Sequence, residues 1–227
     1  MKLKFIIGTI LVCISACKKQ QSELQINAIP TEEKFGEEEL NICKEQSENG
    51  ITFETCLKKY YLFTLKSSKG DVLYKNDNNP SDYKFIDFNE DGFLDIQLHF
   101  MTNVPGVNEI LIFNPKSKSF IEIENFSNFP STIKIKATDF YYSYERNGCA
   151  DNNWNSDLFK IIDNKAIRFG NIEGIGCEGF KKTGIYINKV NIDEITKIKF
   201  IAREEGYWDG KWDFIEKYWN ENYNKFE

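Results

Sequence analysis

Residues 83–101 read Tyr83-Lys84-Phe85-Ile86-Asp87-Phe88-Asn89-Glu90-Asp91-Gly92-Phe93-Leu94-Asp95-Ile96-Gln97-Leu98-His99-Phe100-Met101. The two arms of this stretch alternate. Before the centre, Tyr83, Phe85 and Asp87 alternate with Lys84, Ile86 and Phe88; after it, Leu94, Ile96, Leu98 and Phe100 alternate with Asp95, Gln97, His99 and Met101. Period two places successive side chains on opposite faces of an extended chain, so both arms are expected to be strands. Between them, oxygen-bearing side chains fall at every second position, Asp87, Asn89 and Asp91, followed by Gly92 and then Asp95.

Counted from Asp87, the oxygens sit at loop positions 1, 3, 5 and 9, with glycine at 6, which is the spacing a curled Ca²⁺ loop uses to bring alternate side chains to one centre. Asp87, Asn89 and Asp91 are the expected side-chain ligands, Phe93 offers its backbone carbonyl, and Asp95 binds directly or through water. Carboxylates converging on one point repel unless a cation lies between them, and an acidic polar turn without an ion has to tolerate that repulsion. Position 12, a bidentate Glu in the helix-loop-helix version, is Leu98 here. Missing that Glu and flanked by strands, the loop is expected to stiffen a β-structure. A sensor that opens a helix pair is the less fitting reading.

Outward from the loop the same strand signals recur. Lys58 to Leu65 and Asp71 to Tyr74 flank the turn Ser67-Ser68-Lys69-Gly70; Glu109 to Phe113 and Ser119 to Ile123 flank Asn114-Pro115-Lys116-Ser117-Lys118; Leu158 to Ile162 and Ala166 to Phe169 flank Asp163-Asn164-Lys165. Shorter runs occur at Thr132 to Lys136, Phe140 to Tyr144, Gly184 to Ile187 and Lys197 to Ala202. About ten to twelve short strands are expected in one all-β antiparallel domain, an irregular meander over residues 41–227. Pro30-Thr31-Glu32-Glu33 puts acidic groups in a first turn, compatible with a short helix from about Thr31 to Glu45.

The start of the chain carries Lys2 and Lys4, an apolar run from Phe5 to Ile14, and then Ser15-Ala16-Cys17. That order is the layout of a secretory signal peptide over residues 1–16. Its apolar run is too short to span a bilayer stably. Ending in a small residue before cysteine, it resembles the bacterial lipobox, which implies acylation of Cys17; an ordinary signal peptide cut elsewhere is the alternative. Residues 17–40, rich in Lys, Gln and Glu, then read as a solvated tether. The expected location is a bacterial cell envelope, lipid-anchored and at the outer membrane, with the lipidated N-terminus as the membrane contact.

With 29 basic and 35 acidic residues the net charge is −6, and loss of Lys2 and Lys4 with residues 1–16 takes it to −8. That balance argues against nucleic acid as a partner. Once Cys13 and Cys17 are set aside, Cys43, Cys56, Cys149 and Cys177 remain, which in an oxidising compartment suggests two disulfides. Three pairings are open; Cys43–Cys56 and Cys149–Cys177 are favoured because near neighbours meet most readily in a meander. Zinc fits poorly, since the spacings are wide and His99 is the sole histidine.

The glycine-rich segment Gly170 to Gly179 lacks the Lys-Ser/Thr ending of a phosphate loop and reads as a disulfide-pinned surface loop. The tail holds Tyr207, Trp208, Trp212, Phe214, Tyr218, Trp219, Tyr223 and Phe226. It is expected to be a closing hairpin around Asp209-Gly210, or a terminal helix from Phe214 onward, with its aromatics packed on a sheet; a stacking surface for sugar or protein is the alternative.

Asp87-Phe88-Asn89 and Asp91-Gly92 with Asp95, followed by the Ile110-Leu111-Ile112-Phe113-Asn114-Pro115 hairpin, resemble small exported bacterial lipoproteins with one calcium loop in a propeller-like β-fold. The loop is similar too to those of FG-GAP repeats in integrin-type propellers. The resemblance covers about residues 57–190 and implies a propeller-like architecture and, in some relatives, inhibition of or protection against lytic envelope enzymes. This chain has one loop where integrin-type proteins have several, so a full regular propeller does not follow.

Three functions are carried forward. The first is an envelope protein that binds another protein, with Asn147 to Asp157 among its contact loops. The second is a carbohydrate-binding module stacking glycan on Trp154, Trp208 and Trp212. The third is a carboxylate-dependent hydrolase, though no convincing catalytic constellation is visible: His99 is the sole candidate imidazole base and sits mid-strand.

Overall fold

A computed structural model describes residues 41–58, 62–179, 181–191, 194–202 and 210–227. Its strands run β1 (Asn41–Glu48), β2 (Ile51–Lys58), β3 (Leu62–Ser67), β4 (Val72–Asn76), β5 (Asp82–Ile86), β6 (Asp95–His99), β7 (Asn108–Asn114) and β8 (Ser119–Glu122). They continue as β9 (Ile133–Lys134), β10 (Phe140–Tyr142), β11 (Glu145–Arg146), β12 (Trp154–Ile162), β13 (Lys165–Ile175), β14 (Gly184–Asn191) and β15 (Glu194–Ala202), before one helix, α1 (Lys211–Asn222). The domain is an all-β irregular meander. Its fifteen described strands exceed the ten to twelve expected by β1, whose start was expected to be helical, by β2, and by the two-residue β11, which is too short for period-two patterning to register.

The strands form three antiparallel sheets: β1-β2-β3-β4, β5-β6-β7-β8, and a seven-stranded sheet ordered β15-β14-β13-β12-β10-β9 with β11 paired to β12. All three hairpins read from the turns are present. The middle sheet explains the stacking. Leu111 of β7 joins Phe53, Phe63 and Leu98 in one core, whereas its neighbour Ile110 joins Phe126, Tyr141 and Phe159 in another. A strand buried on both faces needs apolar side chains at consecutive positions, and Ile110 to Phe113 supplies them. The second sheet therefore packs one face on the first sheet and the other on the third.

The third sheet closes its outer face with α1, through Ile215 and Trp219, and with Phe226 beyond the helix. Trp219 Nε1 donates to Ser156 Oγ at 2.8 Å, and that hydroxyl in turn donates to the Ser143 carbonyl at 2.6 Å. The tail is thus the terminal helix, its aromatics on the sheet. Residues 203–209, which include Trp208 and Asp209, lie outside the described residues.

Two expectations are corrected. Asn41 to Glu45, the end of the expected helix, belong to β1, where residue-by-residue pairing with β2 overrides the weak helical signal; Thr31 to Leu40 lie outside the described residues. The glycine-rich segment is strand as far as Ile175. A Cβ at Gly170 would come within 2.6 Å of the Phe226 ring, and one at Gly174 within 2.1 Å of the Trp154 ring, so these glycines make room for aromatic side chains laid across β13.

Both favoured disulfides form. Cys43 and Cys56 face each other across β1 and β2, and Cys149 ties the turn before β12 to Cys177 at the end of β13.

Candidate metal centre

The acidic loop is the connection between β5 and β6, closing over the opposed pair Ile86 and Asp95. Its curl is built from side-chain oxygens accepting backbone N–H groups. Asp87 Oδ1 accepts from Asp91 at 3.0 Å and Asp87 Oδ2 from Gly92 at 3.0 Å; Asn89 Oδ1 accepts from Asp91 at 3.1 Å, and Asp91 Oδ1 from Phe93 at 2.9 Å. Asn89 Nδ2 also donates to Asp91 Oδ2 at 2.8 Å. Gly92 takes a φ of +90°, a conformation that side chains disfavour, which is why glycine stands at this point of the bend.

Asp87, Asn89 and Asp91 are thus drawn together, and Asp87 and Asp91 are exposed. Asp95 is placed differently. Its side chain is fully buried, with Oδ2 accepting the Phe88 N–H at 3.0 Å and Oδ1 the Phe113 N–H at 2.8 Å. Burial pushes its carboxyl up to about 6 despite those two bonds, and the charge of Asp91 adds to the shift. Among the described residues, the one trio of ligand-type groups mutually within 4.8 Å is Cys43, Glu54 and Cys56, whose sulfurs are committed to a disulfide. Asp87, Asp91 and Asp95 form no such trio.

The donor chemistry fits a hard divalent cation: carboxylate, amide and carbonyl oxygens on a glycine-bent loop, with no soft ligand among them. A calcium ion takes six to eight oxygens, so this loop would hold it through Asp87, Asn89, Asp91 and the Phe93 carbonyl, with Asp95 directly or through water. Leu98, at position 12, is buried in the core and offers nothing.

Three residues that spacing did not reveal fix the loop in place. Phe88 stacks on Tyr141 with centroids 5.1 Å apart and meets Phe126 edge-on at 5.2 Å. Lys134 Nζ, reaching from β9, bonds the Asn89 carbonyl and pairs with Glu90 at 3.0 Å. Phe113 supplies the N–H that Asp95 accepts. Phe88 had an apolar signal in the sequence; Phe113 acts through its backbone N–H from the neighbouring strand and Lys134 reaches in from another sheet, and neither role left one. The Tyr141 phenol is pushed up to about 12, first by burial and then by Glu90, Asp95, Asp139 and Asp91, so the loop's negative field reaches into the neighbouring core.

Trp154 is fully buried and offers no stacking platform, whereas Trp212 is 52% exposed. The segment Asn147 to Asp157 is a loop only as far as Asn153, since β12 begins at Trp154. His99 is exposed, with Nδ1 3.0 Å from Asn108 Oδ1. Cys17 lies outside the described residues, and no helix among the described residues is long and apolar enough to cross a membrane.

No protein-family model matches the chain, and no curated protein matches it. A solved structure described as "Structure of a Xanthomonas Type IV Secretion System related protein" aligns with 70% of this chain and 85% of that chain, at 13% sequence identity and a TM-score of 0.44.

Proposed function

We propose that this chain is a calcium-stabilised, lipid-anchored binding protein of a bacterial cell envelope, held at the outer membrane through Cys17. Its β domain is presented to a protein partner, with inhibition of, or protection against, a lytic enzyme as its role. The observation that supports the calcium part is the curl of residues 87–93, in which three oxygen-bearing side chains are hydrogen-bonded to one another or to the same backbone amides. Such a loop concentrates negative charge that a divalent cation offsets.

With few protein ligands and no bidentate Glu, the affinity belongs to the weak end of calcium loops, with dissociation constants on the order of 10⁻⁴ to 10⁻³ M. That range suits an ion abundant outside the cell and makes the loop a structural clamp. The direct test is calorimetric titration of Ca²⁺ into the chelator-stripped protein, with Asp87→Ala and Asp91→Ala beside it. Saturable heat in the wild type that both variants lose supports the reading; equal heats in all three refute it. For the partner, a pull-down from envelope extract is run with and without chelator, and a protein retained only with calcium ties the loop to recognition.

A further inference from the structure

A cavity of about 210 Å³ lies between β11 and the start of α1, lined by Pro105, Ser131, Tyr144, Arg146, Asp151 and Trp212. Trp154 and Trp219 are fully buried, yet Trp212 is half open to water. Leaving so large an apolar ring exposed forgoes the stabilisation its burial would give. The ring is nonetheless held. Tyr144 lies against it with centroids 3.8 Å apart, and Lys211 Nζ stands 5.2 Å from the Tyr144 centroid and 5.3 Å from that of Trp212.

The charges around the ring are unequal. Asp151 accepts the Tyr144 hydroxyl at 2.5 Å and pairs with Lys211 at 2.7 Å, so its negative charge is already offset. Arg146 Nη2 donates to the Asn103 carbonyl at 2.9 Å, which occupies one of the five N–H groups of a guanidinium. The cavity therefore presents one aromatic platform and one cation with donors to spare. Its walls are pinned: Tyr144 N–H bonds the Pro130 carbonyl, Ser131 N–H the Gly106 carbonyl, and the turn carrying Asp151 begins at the disulfide-linked Cys149.

We infer that this cavity is a subsite for a single carboxylate-bearing pyranose, a uronic-acid residue of a polysaccharide, with the sugar's apolar C–H face on Trp212 and its carboxylate on Arg146. A pyranose has one flat face of C–H bonds and a polar rim, which matches an aromatic ring bordered by charged groups. Arginine takes a carboxylate in two parallel hydrogen bonds, which supplies selectivity for the acidic sugar over its neutral counterpart. The volume, below the 300 Å³ or so at which drug-sized pockets begin, admits one ring. This site shares no residue with the calcium loop and stands whether or not an ion binds there.

The test is calorimetric titration of the full chain, carrying Cys17→Ala to keep it free of lipid, with tetragalacturonate and with the uncharged galactose tetramer of the same linkage. The acidic oligosaccharide is expected to bind at least about tenfold more tightly, with the difference shrinking as salt rises. Trp212→Ala abolishes binding of both, and Arg146→Gln removes the preference while leaving the residual neutral affinity. Arg146→Lys, which keeps charge without the planar fork, falls between. Thermal melting of each variant in the absence of sugar reports folding: Arg146→Gln should melt as wild type, and Trp212→Ala, which loses its packing on Tyr144, should still unfold in one cooperative transition. Equal affinity for the two tetramers, binding that survives Trp212→Ala, or no heat at about 10 mM sugar overturns the inference.

Discussion

Asp95 Oδ1 accepts the backbone N–H of Phe113 at 2.8 Å, and through that bond the last residue of the acidic loop is fastened to β7, one of the two inner strands of the middle sheet. The same carboxylate holds the Phe88 N–H with its other oxygen. Asp95 is therefore a structural brace as well as a candidate ligand, unlike Asp87 and Asp91, which stand exposed.

That division separates two kinds of variant. Asp95→Ala leaves two backbone donors without their carboxylate partner and should cost roughly 2–4 kcal/mol in denaturant unfolding in chelator, with any further loss in calcium reporting its part in holding the ion. Asp95→Asn keeps one acceptor and should cost less. A melting curve for Asp95→Ala that matched wild type in chelator would show that the brace contributes nothing.

Calcium itself should raise stability by mass action. With free ion at about one hundred times its dissociation constant, binding to the native state alone adds about 2.7 kcal/mol. Asp87→Ala and Asp91→Ala should melt near chelated wild type whatever the calcium concentration. Scanning calorimetry with and without chelator decides this, and coincident wild-type curves would remove the premise.

The close seating of the terminal helix gives a third prediction. A Cβ at Gly170 would press on Phe226 at 2.6 Å and on Trp219 at 3.1 Å, both buried rings. Gly170→Ala should destabilise by about 1–3 kcal/mol, the usual cost of overpacking a core. Gly179→Ala, where nothing lies within reach of a Cβ, is the control and should be near neutral in urea unfolding.

Loss of the Cys149–Cys177 bridge, which spans 28 residues, should cost about 3.5 kcal/mol on the chain-entropy account. The Cys43–Cys56 bridge spans 13 and should cost about 3 kcal/mol. Double serine variants at each pair, compared by guanidinium unfolding, test both figures and their order.

Asp157 carries the pH prediction. It is buried, accepts from Asn171 Nδ2 at 2.8 Å and pairs with Arg168 at 2.8 Å, yet burial outweighs these partners and holds its carboxyl above the ordinary range. A carboxyl raised in the folded state contributes stability that is complete below the unfolded value, about 3.9, and is lost as pH rises through the folded value. Wild type should therefore lose ground to Asp157→Asn as pH increases from 4 toward neutrality. Parallel pH–stability curves for the two proteins would contradict this assignment.

The hairpins at Ser67 to Gly70, Asn114 to Lys118 and Asp163 to Lys165 were legible because turn residues and alternation act within a few positions of one another. The pairing of the four cysteines was favoured on nearness in the chain but left open among three, and the structure decided it. The short β9 fell inside the run Thr132 to Lys136, whereas the two-residue β11 was not legible, because two residues carry no period. Trp154 and Trp212 look alike in composition, yet one is buried beneath Gly174 and the other opens onto a cavity beside Arg146.

By itself the sequence determined the local grammar: period-two arms, a glycine-bent run of oxygens at alternate positions, and turns that fold each strand back on the last. Only the tertiary structure decided which faces meet. Burial is a property of contacts between sheets, and the chain brings Asp95 to Phe113, Trp219 to Ser156 and Lys134 to the loop across separations that no local pattern encodes.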